Sequence, residues 1–427
     1  MLRRSLIGKH LRDIRKGGLE ILWRKVLRIT KCFTDVVGAL AVVPVVIICR
    51  LLKPWCLIRF GFFTVDRIGH FSFDVEYHLS ERAISEKNIK SIDLLFFKGV
   101  PANSQMARMC RRLIVVSPVV QKLYLANKYL PGGSAHENPP ARHRLASRDK
   151  TGIFYKTPVQ LAFTSDENRT GTEYLRKVGC EDDTKYICLI VRDSAYLEST
   201  QPERDWSYHD YRDTSIEDYE DAALALVGKG YWVFRMGKAV NKAFLPNQSR
   251  VIDYATLGDR CDFLDIWLMA NCHFAISTGL GLDSIADIFR RPLVFVNYLP
   301  LMDMEAWGPF ITVPKVLSWS ANGQPLTLLE QVQHTSVNTQ YYENNGIDIE
   351  DLSPIDIKNA VMEMEARLNG NWIGTQEDEV LNRRFWDTLR LCQEFSQYHG
   401  WVHPKARVGT HYLRHTENWL LPELPNA

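Results

Sequence analysis

Short apolar runs alternate with helical patterns through most of this chain of 427 residues. The strand candidates are rich in β-branched and aromatic residues and are LIRFGFF, IDLLFF, LIVVS, YICLIV, YWVFRM, RVIDY, FAIST and LVFVNY. Between them lie helix candidates such as QMARMCRRL and FLDIWLMANC. Strands joined by helices of this length form βαβ units, so the alternation predicts an α/β fold with parallel sheets.

The strand candidates fall into two sets, near residues 56–165 and 180–320, and a chain of this length is expected to form two domains. A loop rich in Pro, Gly and Ser, PGGSAHENPPARHRLASRDKTG, lies near their junction, and the pattern beyond residue 350 is helical. We therefore predict four segments: a membrane-associating segment (1–55), an N-terminal Rossmann-like domain (56–175), a C-terminal Rossmann-like domain (176–345), and a helical tail that packs across the domains (346–427).

The N-terminal segment mixes basic and apolar residues. Its first 31 residues carry ten Lys or Arg against Asp13 and Glu20, a net charge of +8 in a chain whose total is +2. Leu and Ile interleaved with Lys and Arg are typical of a helix lying in a lipid interface. The uncharged run Val36–Cys49 follows, and it is shorter than the roughly 20 residues that a bilayer span needs. An in-plane or re-entrant anchor is predicted; the alternative is a core helix behind a solvated basic arm.

Other partners and sites receive less support from composition. Nucleic acid ranks last as a partner because no recognised binding motif and few stacking aromatics accompany the basic arm. The nine cysteines form no CxxC pair, and several lie in apolar runs, so neither a disulfide framework nor a zinc cluster is indicated.

One turn has the features of an anion site. The apolar run FAIST ends in Ser277 and Thr278, glycines follow, and Asp283 with Ser284 opens a helical pattern. Glycines allow close approach of a backbone, and a helix N-terminus presents unpaired N–H groups with a positive dipole. The turn matches neither GxGxxG nor a Walker loop. The alternative is a plain capped turn in which Ser277 or Asp283 is the N-cap.

Two arginines favour the anion interpretation. ICLIVRD places Arg192 after one strand, and YWVFRMG places Arg235 at the end of another. Because open parallel sheets bind ligands at the carboxyl ends of their strands, these guanidinium groups and the turn are expected to meet around a diphosphate. The predicted donor-binding residues are Arg192, Arg235, Gly237, Ser277, Thr278, Gly279, Gly281, Asp283 and Ser284.

At these motifs the chain resembles the metal-independent GT-B glycosyltransferases. The resemblance rests on VRDSAYL, RMG, STGLGLDSIADIFRRP, RIGH and NGNWIG, and it spans about residues 55 to 400. More narrowly, the chain resembles a family of bacterial glycosyltransferases from surface-polysaccharide gene clusters, distantly similar to heptosyltransferases. The resemblance implies two Rossmann-like domains facing a cleft, with the donor in the C-terminal half and the acceptor in the N-terminal half.

Glycosyl transfer needs a base for the acceptor hydroxyl and cations for the leaving diphosphate. The loop expected after the first strand holds Arg67 and His70, and Asp74 follows. We predict His70 as the base, with Asp74 and Arg67 as further catalytic residues; the alternative for His70 is a capping or packing role. Glu76 and His78 are expected on a solvated helix face, and DWSYHDYRD is expected to form a lid or a plain surface loop.

The predicted function is transfer of a sugar from a nucleotide-sugar donor to a lipid-linked or surface-polysaccharide acceptor, without a metal or cofactor. Two alternatives stay open: an enzyme like nucleotide-sugar 2-epimerases, and a non-catalytic membrane assembly protein that binds a nucleotide sugar. The predicted location is peripheral, at the cytoplasmic face of the inner membrane, or cytoplasmic if the N-terminal segment belongs to the core.

Overall fold

The computed structural model describes residues 21–84 (except 24, 28, 29, 31 and 32), 90–200 and 205–420. The chain divides into two compact units. The smaller unit comprises residues 1–64, 86–99 and 111–140, and the larger unit comprises residues 65–85, 100–110 and 141–427. The larger unit therefore includes residues 65–85 and 100–110, which the sequence analysis assigned to the N-terminal domain.

The first half of the chain forms these elements: α1 (Phe33–Ala41), α2 (Val43–Leu51), β1 (Cys56–Thr64), α3 (Ile68–Ile84), β2 (Lys90–Lys98), α4 (Ser104–Leu113), β3 (Val115–Val116), α5 (Val120–Tyr129), β4 (Glu137–Asn138), α6 (Ala141–Leu145), α7 (Ile153–Lys156), α8 (Ser165–Lys177), β5 (Tyr186–Ile190), α9 (Ala195–Thr200) and, after the 3₁₀ segments Ser207–Arg212 and Ile216–Tyr219, α10 (Glu220–Gly228).

The second half forms β6 (Trp232–Met236), β7 (Val251–Ile252), α11 (Asp262–Asn271), β8 (Phe274–Ser277), α12 (Asp283–Ile288), β9 (Leu293–Tyr298), β10 (Phe310–Pro314), β11 (Val316–Trp319), α13 (Leu328–Gln331), α14 (Thr339–Asn344), β12 (Ile347–Glu350), α15 (Pro354–Leu368), α16 (Gln376–Leu391), α17 (Phe395–Tyr398), β13 (Arg407–Val408) and α18 (Thr410–His415).

The smaller unit is built on a four-stranded parallel sheet in the order β3-β2-β1-β4. β1 and β2 pair along their whole length, from Cys56 opposite Lys90 to Thr64 opposite Lys98. The core of this unit joins the sheet to α2 and α5 through Phe60, Phe62 and Val46. Among the described residues no single helix is long and apolar enough to cross a membrane, although α1 and α2, bent by 46°, meet the length and composition criterion as a pair.

The larger unit is built on a seven-stranded parallel sheet in the order β13-β10-β9-β8-β5-β6-β7. Strands β5, β8 and β9 are buried along their whole length, as expected for the centre of a parallel sheet covered on both faces. β11 and β12 form a separate antiparallel pair. The α/β class and the two parallel sheets are thus confirmed.

The helical tail predicted after residue 346 contains α15, α16, α17 and α18, and it also contributes the strands β12 and β13. β13 pairs with β10 and forms one edge of the seven-stranded sheet of the larger unit. Helix α15 packs against α10 in the same unit. The tail is therefore part of the larger unit's fold, and its two-residue strand was too short for any periodicity to indicate.

α3 differs from its prediction in two ways. It begins at Ile68, so His70 lies in its first turn and not at a loop tip. Glu76 is fully buried and His78 is 7% exposed, so the predicted solvated face is wrong. Glu76 accepts hydrogen bonds from Arg290 Nη2 at 2.9 Å and from the backbone N–H groups of Gln160 and Leu161. Burial raises the pKa of Glu76, and the positive charge of Arg290 opposes that rise.

Candidate functional site

The turn between β8 and α12 is held by its own side chains. Ser277 Oγ and the backbone N–H of Leu280 both donate to Asp283 Oδ2, each at 2.6 Å. The N–H of Gly279 donates to Ser277 Oγ at 3.1 Å. Asp283 is 2% exposed, and burial raises its pKa to about 6 while the Ser277 hydroxyl opposes the shift. Ser277 and Asp283 therefore stabilise the turn, and two of its N–H groups are already satisfied.

Both glycines of the turn are required by their surroundings. Gly279 has φ +78°, and a Cβ there would lie 2.9 Å from the Tyr298 ring. A Cβ on Gly281 would lie 3.2 Å from the backbone nitrogen of Gly69, at the start of α3. The second contact means that Gly281, predicted to give a ligand close access to the backbone, also allows α3 to pack closely against the turn.

The start of α3 and the turn form one site within the larger unit. Ser72 Oγ lies 2.6 Å from Ser284 Oγ, and Ser284 Oγ donates to the carbonyl of Gly281 at 2.7 Å. Arg67 and His70 flank Gly69, which contacts Gly281. The predicted catalytic residues and the predicted donor turn are therefore brought together, as the sequence analysis required.

Two arginines contact this turn. Arg192 donates its backbone N–H to Thr278 Oγ1 at 3.2 Å and its Nε to Asp213 Oδ1 at 2.9 Å. Arg212 donates from Nη2 to the carbonyl of Gly279. Among the residues that the structure describes, Arg67 and Arg212 form no ion pair, although the positive charge of Arg212 opposes the rise in pKa that burial causes in Asp283 and Asp303.

The pKa of His209 is affected by these arginines. Burial lowers its pKa to about 4, and the positive charges of Arg192, Arg212 and Arg67 act in the same direction. The imidazole is therefore disfavoured as a cation by burial first and by the positive charges of these arginines second. Guanidinium groups that keep free N–H donors are suited to bind the oxygens of a diphosphate.

Arg235 was predicted as the second donor-binding arginine, and the structure gives it another partner. It is 1% exposed, its Nη1 donates to Asp253 at 3.2 Å, and its Nη2 lies 3.8 Å from Asp193. A guanidinium that is buried and paired in this way is not available to a diphosphate. Gly237 follows on the same strand end, where a Cβ would lie 2.7 Å from the Val240 side chain.

The catalytic candidates on α3 differ in access. His70 is half-buried, and its Nδ1 lies 2.9 Å from Ser147 Oγ, a contact that orients the ring. Asp74 lies one helical turn further on and is fully buried, so it makes no direct contact with a substrate in this conformation. Arg67 is exposed. His70 and Arg67 therefore remain the predicted residues that can touch a reacting molecule.

A polar cavity lies in the segment that was predicted as a lid. Its volume is about 390 Å³, and it is lined by Ser194, Glu198, Asp205, Trp206, Ser207, Asp210 and Asp213. Asp213 is also the partner of Arg192, so the cavity borders the group formed by Arg67, Arg192 and Arg212, which we call the arginine cluster. Carboxylate and hydroxyl oxygens are suitable partners for sugar hydroxyls, and the volume lies in the range of about 300–1,000 Å³ usual for small-ligand pockets.

Some site residues were missed, and others were given roles that the structure does not support. Arg212 and His209 lie in DWSYHDYRD, where the density of polar residues was noted without singling out either side chain. Asn297, near the end of β9, is 1% exposed and accepts a hydrogen bond from the backbone N–H of Leu352, so it connects two segments of the chain. Ser72 had no sequence signal, because its partner Ser284 is distant along the chain.

Among the described residues, no group of three or more His, Cys, Asp or Glu side chains is arranged to hold a metal ion.

No protein-family model and no curated protein matches this chain. Among solved structures, similarity is found to a glycosyl transferase family 9 protein from Veillonella parvula, with 11% identity, TM-score 0.37, and coverage of 60% of this chain and 86% of that one. The E. coli ADP-heptose lipopolysaccharide heptosyltransferase II shows 13% identity, TM-score 0.35, and coverage of 73% and 99%. The iron-containing dodecameric glycosyltransferase TibC from enterotoxigenic E. coli shows 12% identity, TM-score 0.33, and coverage of 60% and 62%.

Proposed function

We propose that this protein is a glycosyltransferase whose larger unit binds a nucleoside diphosphate sugar beside the turn Ser277–Ser284. The observation that carries the proposal is that two arginines contact this turn, because the backbone N–H of Arg192 donates to Thr278 Oγ1 and Arg212 donates to the Gly279 carbonyl. The exposed Arg67 lies two residues before Gly69, which packs on Gly281 of the same turn. A diphosphate offers oxygens to several guanidinium groups at once, and charge-assisted hydrogen bonds of this kind are the strong ones. In this proposal Arg212 takes the role that the sequence analysis gave to Arg235.

The same arginines are suited to stabilise the leaving group of the reaction. When the bond between the sugar and the diphosphate breaks, negative charge develops on the leaving oxygen, and fixed positive groups stabilise it without reorganisation. Arg192 is oriented by Asp213, and Arg212 by the turn itself. We infer that these side chains supply the charge that a divalent metal supplies in other transferases, so transfer is expected to persist in the presence of a chelator.

The acceptor hydroxyl requires a base, and His70 is our candidate. It lies in the first turn of α3, adjacent to the donor turn, and its ring is oriented by Ser147. A neutral imidazole at this place can take the acceptor proton as the hydroxyl attacks the sugar carbon. We propose a lipid-linked or surface-polysaccharide glycan as the acceptor.

The test is turnover of nucleotide sugars by the full chain. The protein is incubated with UDP, GDP, ADP, CMP and dTDP sugars, with and without lipid-linked glycans, and the released nucleotide and the sugar products are separated by chromatography. Release of a nucleotide together with a glycosylated acceptor supports the proposal. Conversion of a free donor to its epimer would establish the epimerase alternative, and binding without turnover would establish the non-catalytic one.

Two variants assign the roles. His70→Ala is expected to lower the transfer rate by about 10²- to 10⁴-fold while nucleotide binding is retained, because a general base acts on the acceptor. His415→Ala is the matched control, since His415 is exposed and its recorded contacts are with the carbonyl and the ring of His411 in its own helix. Equal rates for His70→Ala and the unmodified chain would exclude His70 as the base, and loss of turnover in chelator, reversed by a divalent ion, would contradict metal independence.

A further inference from the structure

Helices α1 and α2 of the smaller unit display an exposed apolar surface. We call it the apolar patch and define it by Leu40, Val45, Ile47, Ile48, Leu51 and Trp55, whose exposed fractions range from 46% to 74%. These six residues lie within sixteen positions of the chain, and exposed apolar patches on soluble proteins mark contacts with another molecule or with a membrane.

The opposite face of the same helices is fixed to the smaller unit. Ala39, Val46 and Cys49 are buried in a core shared with β1 and α5. Arg50 closes α2 with hydrogen bonds to Asn127 Oδ1 at 3.0 Å and to the carbonyl of Pro131 at 2.6 Å. The apolar patch is therefore presented on a rigid support and does not arise from a loose terminal helix.

The charge of the residues near the apolar patch indicates which kind of surface it binds. Lys53 is exposed between Leu51 and Trp55. The first 20 residues of the chain carry six Lys or Arg against Asp13 and Glu20, and they precede α1 in the sequence. Apolar side chains with an aromatic residue at the edge and basic residues alongside suit the interface of an anionic bilayer, where the basic groups meet phosphate headgroups.

We propose that the apolar patch binds the surface of an anionic lipid bilayer, with α1 and α2 lying in the plane of the interface. A bilayer span does not fit, because Ala39, Val46 and Cys49 are packed into the protein core. A second copy of the chain is a poorer occupant than lipid, because a symmetric contact would bring two equally basic N-terminal segments together. This inference does not depend on the proposed activity.

The experiment is flotation of the full chain with vesicles of phosphatidylcholine alone and of phosphatidylcholine with phosphatidylglycerol. The test variant carries Leu40→Glu, Ile48→Glu and Leu51→Glu. The matched control carries Leu245→Glu, Leu257→Glu and Ile373→Glu, three exposed residues of the larger unit that are 79%, 52% and 88% exposed. Both variants change the net charge equally, and circular dichroism with thermal unfolding verifies that each is folded.

We expect the unmodified chain and the control to float with anionic vesicles and the test variant to stay in the dense fraction, a loss of at least about tenfold in the bound fraction. Vesicles without phosphatidylglycerol should bind less protein. Equal flotation of the test variant and the control would overturn the proposal. So would failure of the unmodified chain to float, and if light scattering then showed a dimer that the test variant alone loses, a second copy would be the occupant.

Discussion

At the residue scale, His209 explains how the arginine cluster can bind an anion over a wide pH range. Its pKa of about 4, set by burial and by three guanidinium groups, leaves the imidazole neutral near pH 7. The positive charge of the site therefore comes from arginines alone, which keep their charge throughout the physiological range. Donor binding is expected to depend on salt more than on pH.

His399 allows a residue-scale test of pH-dependent stability. It is 5% exposed, lies 3.0 Å from the Met302 carbonyl through Nε2, and has a pKa lowered to about 3, chiefly by burial. A histidine whose folded pKa lies below its unfolded value of about 6.5 stabilises the fold above that pH, and this contribution is lost as the pH falls towards 3. His399→Gln keeps a donor for the carbonyl and removes the titration.

We expect the stability difference between the unmodified chain and His399→Gln to shrink by about 1.4 kcal/mol for each pH unit between about pH 6 and pH 4. Urea unfolding at several pH values measures it, and the other titrating groups cancel because both proteins contain them. A difference that is constant across this range would show that His399 is protonated in the folded state.

Two arginines that look alike in the sequence illustrate what can be predicted at this scale. Arg192 and Arg235 both lie at the ends of apolar runs, and both were predicted as donor-binding residues from that position. Each pairs with an aspartate further along the chain, Arg235 with Asp253 and Arg192 with Asp213, but the Arg235 side chain is 1% exposed and that of Arg192 is 11% exposed. Such pairing depends on the three-dimensional return of the chain, which no local pattern contains.

At the element scale, the contact between α3 and the donor turn is the feature that builds the site. A Cβ on Gly69 would lie 2.9 Å from the Cα of Gly281, a contact between two backbones that no side-chain rotation can relieve. Gly69→Ala is therefore expected to push α3 away from the turn, to destabilise the fold by about 1–3 kcal/mol, and to weaken nucleotide binding.

Gly228→Ala is the control for that substitution. Gly228 ends α10, and a Cβ there meets no atom within 4 Å, so alanine is expected to be neutral or to stabilise by up to about 1 kcal/mol. Chemical denaturation and nucleotide titration of both variants provide the measurement. Unchanged nucleotide binding in a destabilised Gly69→Ala protein would show that the site does not need the contact between α3 and the turn.

The long, buried elements could be predicted because burial imposes composition. β5, β6, β8 and β9 are runs of apolar residues that end at Gly or polar groups, and each was expected from the sequence. β13 was not expected, because two residues carry no periodicity. β10 was also not expected, because it ends in Pro314 and proline argues against a strand. The early start of α3 was missed because Gly69 resembles a loop residue and is there for packing.

At the scale of the whole molecule, donor turn, arginine cluster and catalytic candidates all belong to the larger unit, and the apolar patch belongs to the smaller one. The resemblance to GT-B enzymes divided donor and acceptor residues between N-terminal and C-terminal halves. Here α3, which carries His70, belongs to the larger unit together with the predicted donor turn, although it follows β1 of the smaller unit in the sequence. Alternation of strands and helices predicted two sheets, but it contained no information on which sheet α3 would join.

The central claim, that the three arginines and the turn bind a nucleoside diphosphate, is tested most directly by calorimetric titration of the full chain with UDP, GDP, ADP, CDP and dTDP. Arg212→Ala and Arg67→Ala are compared with Arg176→Ala, a control because Arg176 is exposed and pairs with Asp182 on the surface. We expect one nucleotide to bind, with affinity lowered about 10- to 100-fold in each of the first two variants, the effect of losing one hydrogen bond to a charged group. Binding that is unchanged in both variants, or absent for all five nucleotides, would contradict the account.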